Sequence, residues 1–235
     1  TATSTTAASP PSSIMYVEGS TEKVYQLTGE TDREFNKPTA SQTESRFGLF
    51  AADLGYSFEH DGKIFFLFGD SIPTPKFNGN PNGANSPPRI SDDNDAIAFT
   101  SATSADPNVI LDFIHYANGA YKNPVVLNDQ DQPAIKLRDF ELPISGVSDG
   151  GKMFVLFGTD KGGSGFATRT VVGVSEDDGN TFHYLYDFSK PPDAKFINVA
   201  IVQGQDGYLY FWGTQGGTLY RKSAVFLARK PVGTM

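Results

Sequence analysis

Residues 48–70, GLFAADLGYSFEHDGKIFFLFGD, decide how the rest of the chain is read. They predict two adjacent antiparallel strands with a tight turn at His60-Asp61-Gly62. The first strand carries Asp53 among small and apolar neighbours. The second, Lys63 to Phe68, is almost wholly aromatic and aliphatic, as a strand buried on both faces requires, and it stops at Gly69-Asp70. An ionised carboxylate is costly to bury unless it is paired, hydrogen-bonded or open to a solvated site. Asp53 near the start of one strand and Asp70 at the end of the next are therefore the first candidates for chemistry.

Further along the chain the same pattern returns. DGKIFFLFGD at 61–70 is echoed by GGKMFVLFGTD at 150–160 and by DGYLYFWGTQ at 206–215. Each copy follows a strand of small residues, AADLGYSF, PISGVSD or INVAIVQ. Each is followed by a further strand, DAIAFTSA at 95–102, TRTVVGVS at 168–175 or KSAVFLAR at 222–229. The central glycines Gly69, Gly158 and Gly213 are unequally spaced, which means insertions within a repeat of about 50 residues, the sign of a β-propeller. Ser175 to Phe182 also fits S-x-D-x-G-x-T-[FW], the Asp-box of sialidase-like propellers. There the Ser and Asp side chains cap a hairpin backbone, so Asp177 is structural.

The fold class expected is thus all-β, a propeller of which the chain supplies about three blades. Residues 1–13, rich in Thr, Ser, Ala and Pro, form a flexible lead-in, and 14–235 the propeller domain, incomplete at its C-terminus. Four blades are about the fewest that close a ring. The expectation is a truncated chain, one piece of a cleaved protein, or a ring completed by a second copy or chain.

Composition narrows the partners. The 19 Phe and 10 Tyr provide an aromatic core, while 24 Gly and 15 Pro suit many short strands joined by turns. A net charge of −8 disfavours nucleic acid and anionic lipid. No apolar run approaches the roughly 18 residues of a membrane span. The absence of cysteine excludes disulfides and thiol chemistry, and the Thr/Ser-rich opening points to a secreted or cell-surface protein.

Aligning the repeats on their glycines sets Asp53, the Glu141 to Ser145 segment and Asn198 near equivalent positions on the innermost strands, facing the propeller axis. Paired carboxylates around a polar pocket are the equipment of glycoside hydrolysis, one protonating the leaving oxygen, the other attacking or activating water. Asp53 and Asp70 are the catalytic candidates, and Asp95, Glu141 and Asn198 the substrate-binding ones. Asp70 has an Asx-turn as its alternative role and Glu141 a structural one. Asp92, Asp93 and Asp95 offer oxygen ligands for Ca²⁺, against a plain solvated acidic loop; no other cofactor is expected. His60 is placed in a turn and His115 in the core; His115 and His183 show no metal-ligand spacing. No Ser-His-Asp set stands out. Tyr210 and Trp212 read as packing between blades, or as a platform for a sugar ring.

FGLFAADLGYSFEHDGKIFFLFGD at 47–70, DAIAFT at 95–100, ISGVSDGGKMFV at 144–155 and the 175–182 motif together resemble a DUF4185-like family of five-bladed propellers, formerly of unknown function. The likeness covers roughly residues 46–230. Members of that family include endo-D-arabinanases, which cleave the D-arabinan of bacterial cell walls. The resemblance implies an endo-acting hydrolase of a furanose polysaccharide, with Asp53 and Asp70 at the family's acidic first-blade positions. Family members continue into further blades beyond Ala228-Arg229-Lys230. The alternatives are a lectin-like propeller that binds glycan without cleaving it, and a purely structural one; fold alone does not choose between them.

Overall fold

The computed structural model describes residues 18–74, 95–104, 109–124, 126–127, 142–160, 166–216 and 224–235. The flexible lead-in expected at 1–13, Glu141, Asp92 and Asp93 fall outside them. After a short ribbon, β1 (Thr31–Asp32) with β2 (Lys37–Pro38), and a single helical turn, α1 (Thr43–Phe47), three antiparallel sheets follow. The first joins β3 (Leu49–His60), β4 (Lys63–Pro73), β5 (Ala96–Thr100) and β6 (Asp112–Phe113) in that order. The second runs β8 (Leu142–Asp149), β9 (Lys152–Thr159), β10 (Arg169–Ser175), β11 (Phe182–Ser189), with β7 (Val126–Leu127) parallel to β11 at its outer edge. The third is β12 (Asn198–Gln203), β13 (Tyr208–Thr214) and β14 (Phe226–Pro231). Each sheet is a meander whose first strand packs inward, β3 against β8 and β8 against β12. These are three propeller blades.

The β3–β4 turn lies at Asp61-Gly62, both at positive φ (45° and 72°), which matches the right-handed twist of the flanking strands. His60 is not in that turn; it closes β3 and is buried. β4 does not stop at Gly69-Asp70 either. Asp70 takes φ 42°, in the left-handed region, and the strand continues beyond it to Pro73. Asp53 pairs with Gly69 and Ala51 with Ile72, so one extra residue is accommodated on β4 beside Asp53, a β-bulge. The last strand begins at Phe226, later than the sequence pattern suggests.

Apolar layers hold the blades together. Phe65, Leu67 and Ile97 of the first blade meet Val126, Met153, Val155, Phe157 and Phe182 of the second. Val147, Phe154, Leu156 and Val172 of the second meet Val199, Ile201, Leu209 and Phe211 of the third. Each such side chain contributes about 1.5–3 kcal/mol on burial. β9 is buried on both faces, between two blades, and this is why its sequence shows no alternation. Gly146 lets β8 approach β3, since a Cβ there would drive into the Phe58 ring.

The outer blades differ. The far face of the first is covered by α1 and by Leu111, Phe113 and Tyr121. The far face of the third is open: β12 and β14 alternate, and Val202, Trp212 and Leu227 are exposed. Tyr210 and Trp212, expected between blades, lie with ring centroids 6.1 Å apart on this open face. His115, expected in the core, is exposed, with Nδ1 2.9 Å from the Tyr116 carbonyl oxygen.

Candidate functional site

The three inner strands run side by side, so their first residues gather at one mouth of the axis and their last residues at the other. Asp53 and Asp70 belong to the first mouth. The Asp53–Gly69 pairing makes Asp70 the next residue along the partner strand, and the left-handed turn of its backbone sits beside Asp53. Both residues are exposed. Partial burial, and after it the negative charge of Asp70, raise the Asp53 carboxyl above its ordinary 3.8. Two carboxyl groups that feel one another at a solvent-open strand bulge can divide acid and base roles between them.

The other candidates are placed differently. Pairing aligns Asp53 opposite Gly69, Leu142 opposite Gly158 and Val199 opposite Gly213. Asn198 is thus one step earlier than the position equivalent to Asp53 and points to the other face of its strand. It still reaches the same mouth. Asn198 lines a cleft of about 510 Å³ with Gly55, Tyr56, Ile144, Trp212 and Thr214, and its Nδ2 donates to Thr214 Oγ1 at 3.3 Å. Asp95 sits one step beyond the Phe68–Ala96 pair, on the opposite side of Gly69 from Asp53. It is only 3% exposed and faces inward; its backbone N–H donates to Asn123 Oδ1. Burial, and then the charge of Asp95, push the Tyr121 hydroxyl upward. Asp95 is therefore a buried residue of the first blade, on the far side of Gly69 from Asp53. Among the described residues no three His, Asp or Glu side chains gather as a metal site.

Sequence reasoning missed Tyr56. Its hydroxyl donates to the Ile201 carbonyl and accepts from the Ile201 N–H at 3.1 Å. One phenol thus ties the inner strand of the first blade to that of the third. The only sequence signal was a Tyr among small residues in the quoted stretch. At the opposite mouth a second cleft, of about 660 Å³, is lined by Tyr56 to Gly62, Gly146 to Ser148 and Ile201 to Gln203. There His60 Nδ1 lies 2.8 Å from Ser148 Oγ, and Nε2 lies 3.5 Å from Asp178 Oδ1. A Ser-His-Asp set that no spacing could reveal is assembled from three segments. Its Asp is held at 3.0 Å by Lys63 and its His–Asp separation exceeds a good hydrogen bond. The cluster is a pin between the first two blades.

The turn before β11 is held as its side chains require. Ser175 Oγ donates to Asp177 Oδ1 at 2.8 Å and accepts from the Gly179 N–H at 2.9 Å, and Thr181 N–H donates to Asp177 Oδ1 at 2.8 Å. Against the opposing effect of burial, the Thr181 hydroxyl, which donates to Asp177 Oδ2 at 2.7 Å, then the Thr181 N–H and the Ser175 hydroxyl keep the Asp177 carboxyl below its usual range.

Residues 39–235 match the family model of a domain of unknown function, DUF4185. The chain belongs to the DUF4185 family. No curated protein matches it. Among solved structures it is similar to a GH43 β-xylosidase/α-arabinofuranosidase from a compost microbial metagenome, crystallised with xylotriose in a calcium-free form. The two share 15% identity over 77% of this chain and 55% of that one, with a TM-score of 0.48. A glycoside hydrolase family 43 arabinoxylan arabinofuranohydrolase from Bacillus subtilis shows 14% identity over 75% of this chain and 33% of that one, with a TM-score of 0.42. A Trypanosoma rangeli sialidase shows 11% identity over 74% and 28%, with a TM-score of 0.36. The chain spans about half the length of the first of these structures. Among the described residues no helix is long and apolar enough to cross a membrane.

Proposed function

We propose that this DUF4185 chain is a glycoside hydrolase that cuts within a furanose polysaccharide, D-arabinan, using Asp53 and Asp70. The observation that carries this reading is the pair itself. Two carboxylates stand side by side at a solvent-open strand bulge, at the mouth of the propeller axis, and one is raised partly by the other. The raised Asp53 protonates the glycosidic oxygen as the bond to the anomeric carbon breaks, while Asp70 activates water or attacks that carbon itself. Asn198, in the cleft beside Tyr56 and Trp212, supplies a neutral donor and acceptor to sugar hydroxyls. Such a polymer lies outside the cytoplasm, so the enzyme acts in secreted or cell-surface form. D-arabinan follows from the family resemblance.

The test is product release from D-arabinan, L-arabinan and a pyranose polymer, comparing wild type with Asp53→Asn. Oligosaccharides from D-arabinan alone, lost in the variant, support the assignment; undiminished turnover by the variant overturns it.

Exposed Trp212 beside Asn198 favours one other function, glycan binding without cleavage. It requires binding that survives both Asp53→Asn and Asp70→Asn and an absence of products.

A second proposal concerns the open face of the third blade, which a second copy or a further β-rich chain covers. Exposed Val202, Trp212 and Leu227 supply its apolar contact. Native mass against the 25.4 kDa chain tests it, and a particle of one chain overturns it.

A further inference from the structure

Beside the first strand of the first blade lies a third cleft, of about 410 Å³, with one wall from Gln26, Thr31 and Arg33 and another from Glu44, Phe50 and Ala52. We propose that this cleft is a sugar subsite, binding a neutral furanosyl unit of the polysaccharide on one side of the bond cleaved at Asp53 and Asp70. The proposal rests on the hydrolase reading given above.

Position is the first argument. Phe50, Ala51 and Ala52 line the cleft and belong to β3, the strand that carries Asp53. A polymer that crosses the strand at the carboxylate pair and continues toward its start meets this cleft.

The second argument is the orientation of Phe50. Leu49 pairs with Pro73 and Ala51 with Ile72, which are consecutive on β4, so Phe50 is the unmatched residue of a bulge. Its ring is 50% exposed within a strand whose preceding residue, Leu49, is 1% exposed. Bulges of this kind re-aim a side chain, often beside a site. An aromatic face with its negative quadrupole suits the C–H face of a sugar ring.

The third argument is chemistry. Arg33 offers a planar fork of donors, Glu44 two acceptor oxygens and Gln26 an amide. Opposite charges on facing walls suit a ligand that is uncharged and rich in hydroxyls, and disfavour a uronate or sulfated chain.

The wall is also preformed. The Gly29 N–H donates to Thr43 Oγ1 at 2.9 Å, Thr39 Oγ1 donates to the Gly29 carbonyl at 2.5 Å, and the Ser45 N–H donates to Glu30 Oε2 at 3.0 Å. A surface already ordered binds without a large entropic cost. The family model starts at residue 39, so the Gln26 to Arg33 wall precedes the matched domain.

The experiment measures kcat/KM on D-arabinan oligosaccharides of increasing length for wild type, Phe50→Ala and Arg33→Gln. The expected result is a loss of about tenfold on long oligosaccharides, carried by KM, with the shortest cleaved substrate unaffected. Equal losses at every length, or none at any, overturn the subsite while leaving the hydrolase assignment standing. If wild type cleaves nothing, the hydrolase reading fails, and direct titration with D-arabinan decides the cleft. Binding weakened about tenfold by Phe50→Ala upholds it; no binding, or equal binding, overturns it.

Discussion

Asp53 and Asp70 are neighbours across a ladder: Asp53 pairs with Gly69, and Asp70 turns through a left-handed φ of 42° one residue further on. Because burial and the Asp70 charge both penalise ionised Asp53, its carboxyl is held above the ordinary 3.8. A raised carboxyl costs the folded state stability as pH rises through that window. Asp53→Asn therefore unfolds later than wild type at neutral pH, by less than about 1 kcal/mol because the group is exposed and screened. The gain fades below pH 3.8, where wild type is itself protonated. Turnover falls by about 100- to 10,000-fold over the same pH range. Urea titrations at two pH values, beside an activity assay, check both halves. A variant that is less stable at neutral pH removes the charge argument.

The Tyr56 hydroxyl has two jobs that Phe cannot do. Tyr56→Phe leaves the Ile201 N–H and carbonyl without their partner, at a cost of about 1–3 kcal/mol. The loss shows in the denaturation midpoint, and it is accompanied by faster amide exchange along β12 while β9 keeps its protection.

Gly146 marks the closest approach of the first two blades. Gly146→Ala puts a methyl group into the Phe58 ring, and overpacking of this sort costs about 1–3 kcal/mol. Pairing it with Phe58→Leu recovers part of the loss. A neutral Gly146→Ala would mean that the blades sit further apart.

Acid releases the N-terminal wall before the blades. Asp32 is buried, and its carboxyl is lowered to about 2, first by the Lys23 ammonium at 2.7 Å and then by the N–H groups of Phe35, Glu34 and Gln26. A depressed carboxyl stabilises the folded state above the ordinary 3.8, and that contribution disappears as pH falls through about 2. Proteolysis within residues 18–38 should rise across that interval. Asp32→Asn should show the same sensitivity already at pH 5.

Blade architecture was legible because three aromatic strands, each with a glycine in its second half, repeat with recognisable small-residue strands before them. Asp53 and Asp70 stand out in the sequence for the same reason, since both flank one such strand, and the β3–β4 register sets them next to one another. Asp95 is buried, its N–H bonded to Asn123 and its charge felt by Tyr121, and the sequence could not show this, because a strand-opening Asp looks the same whether it faces a cleft or the interior. Asn198 lies one step before the position equivalent to Asp53, because bulges beside Asp53 shift the register that a glycine alignment assumes. Tyr56–Ile201 and Ser148–His60–Asp178 join segments far apart in sequence, and no local pattern encodes such contacts. The open face of the third blade was hidden because an interleaved aromatic run reads equally as packed or bare.

Tyr56 lines the clefts at both mouths of the axis and is fastened to the far strand at its tip. Among the described residues the two clefts therefore lie back to back across a single phenol: Tyr56 is the partition between them, and its bond to Ile201 fixes the partition in place.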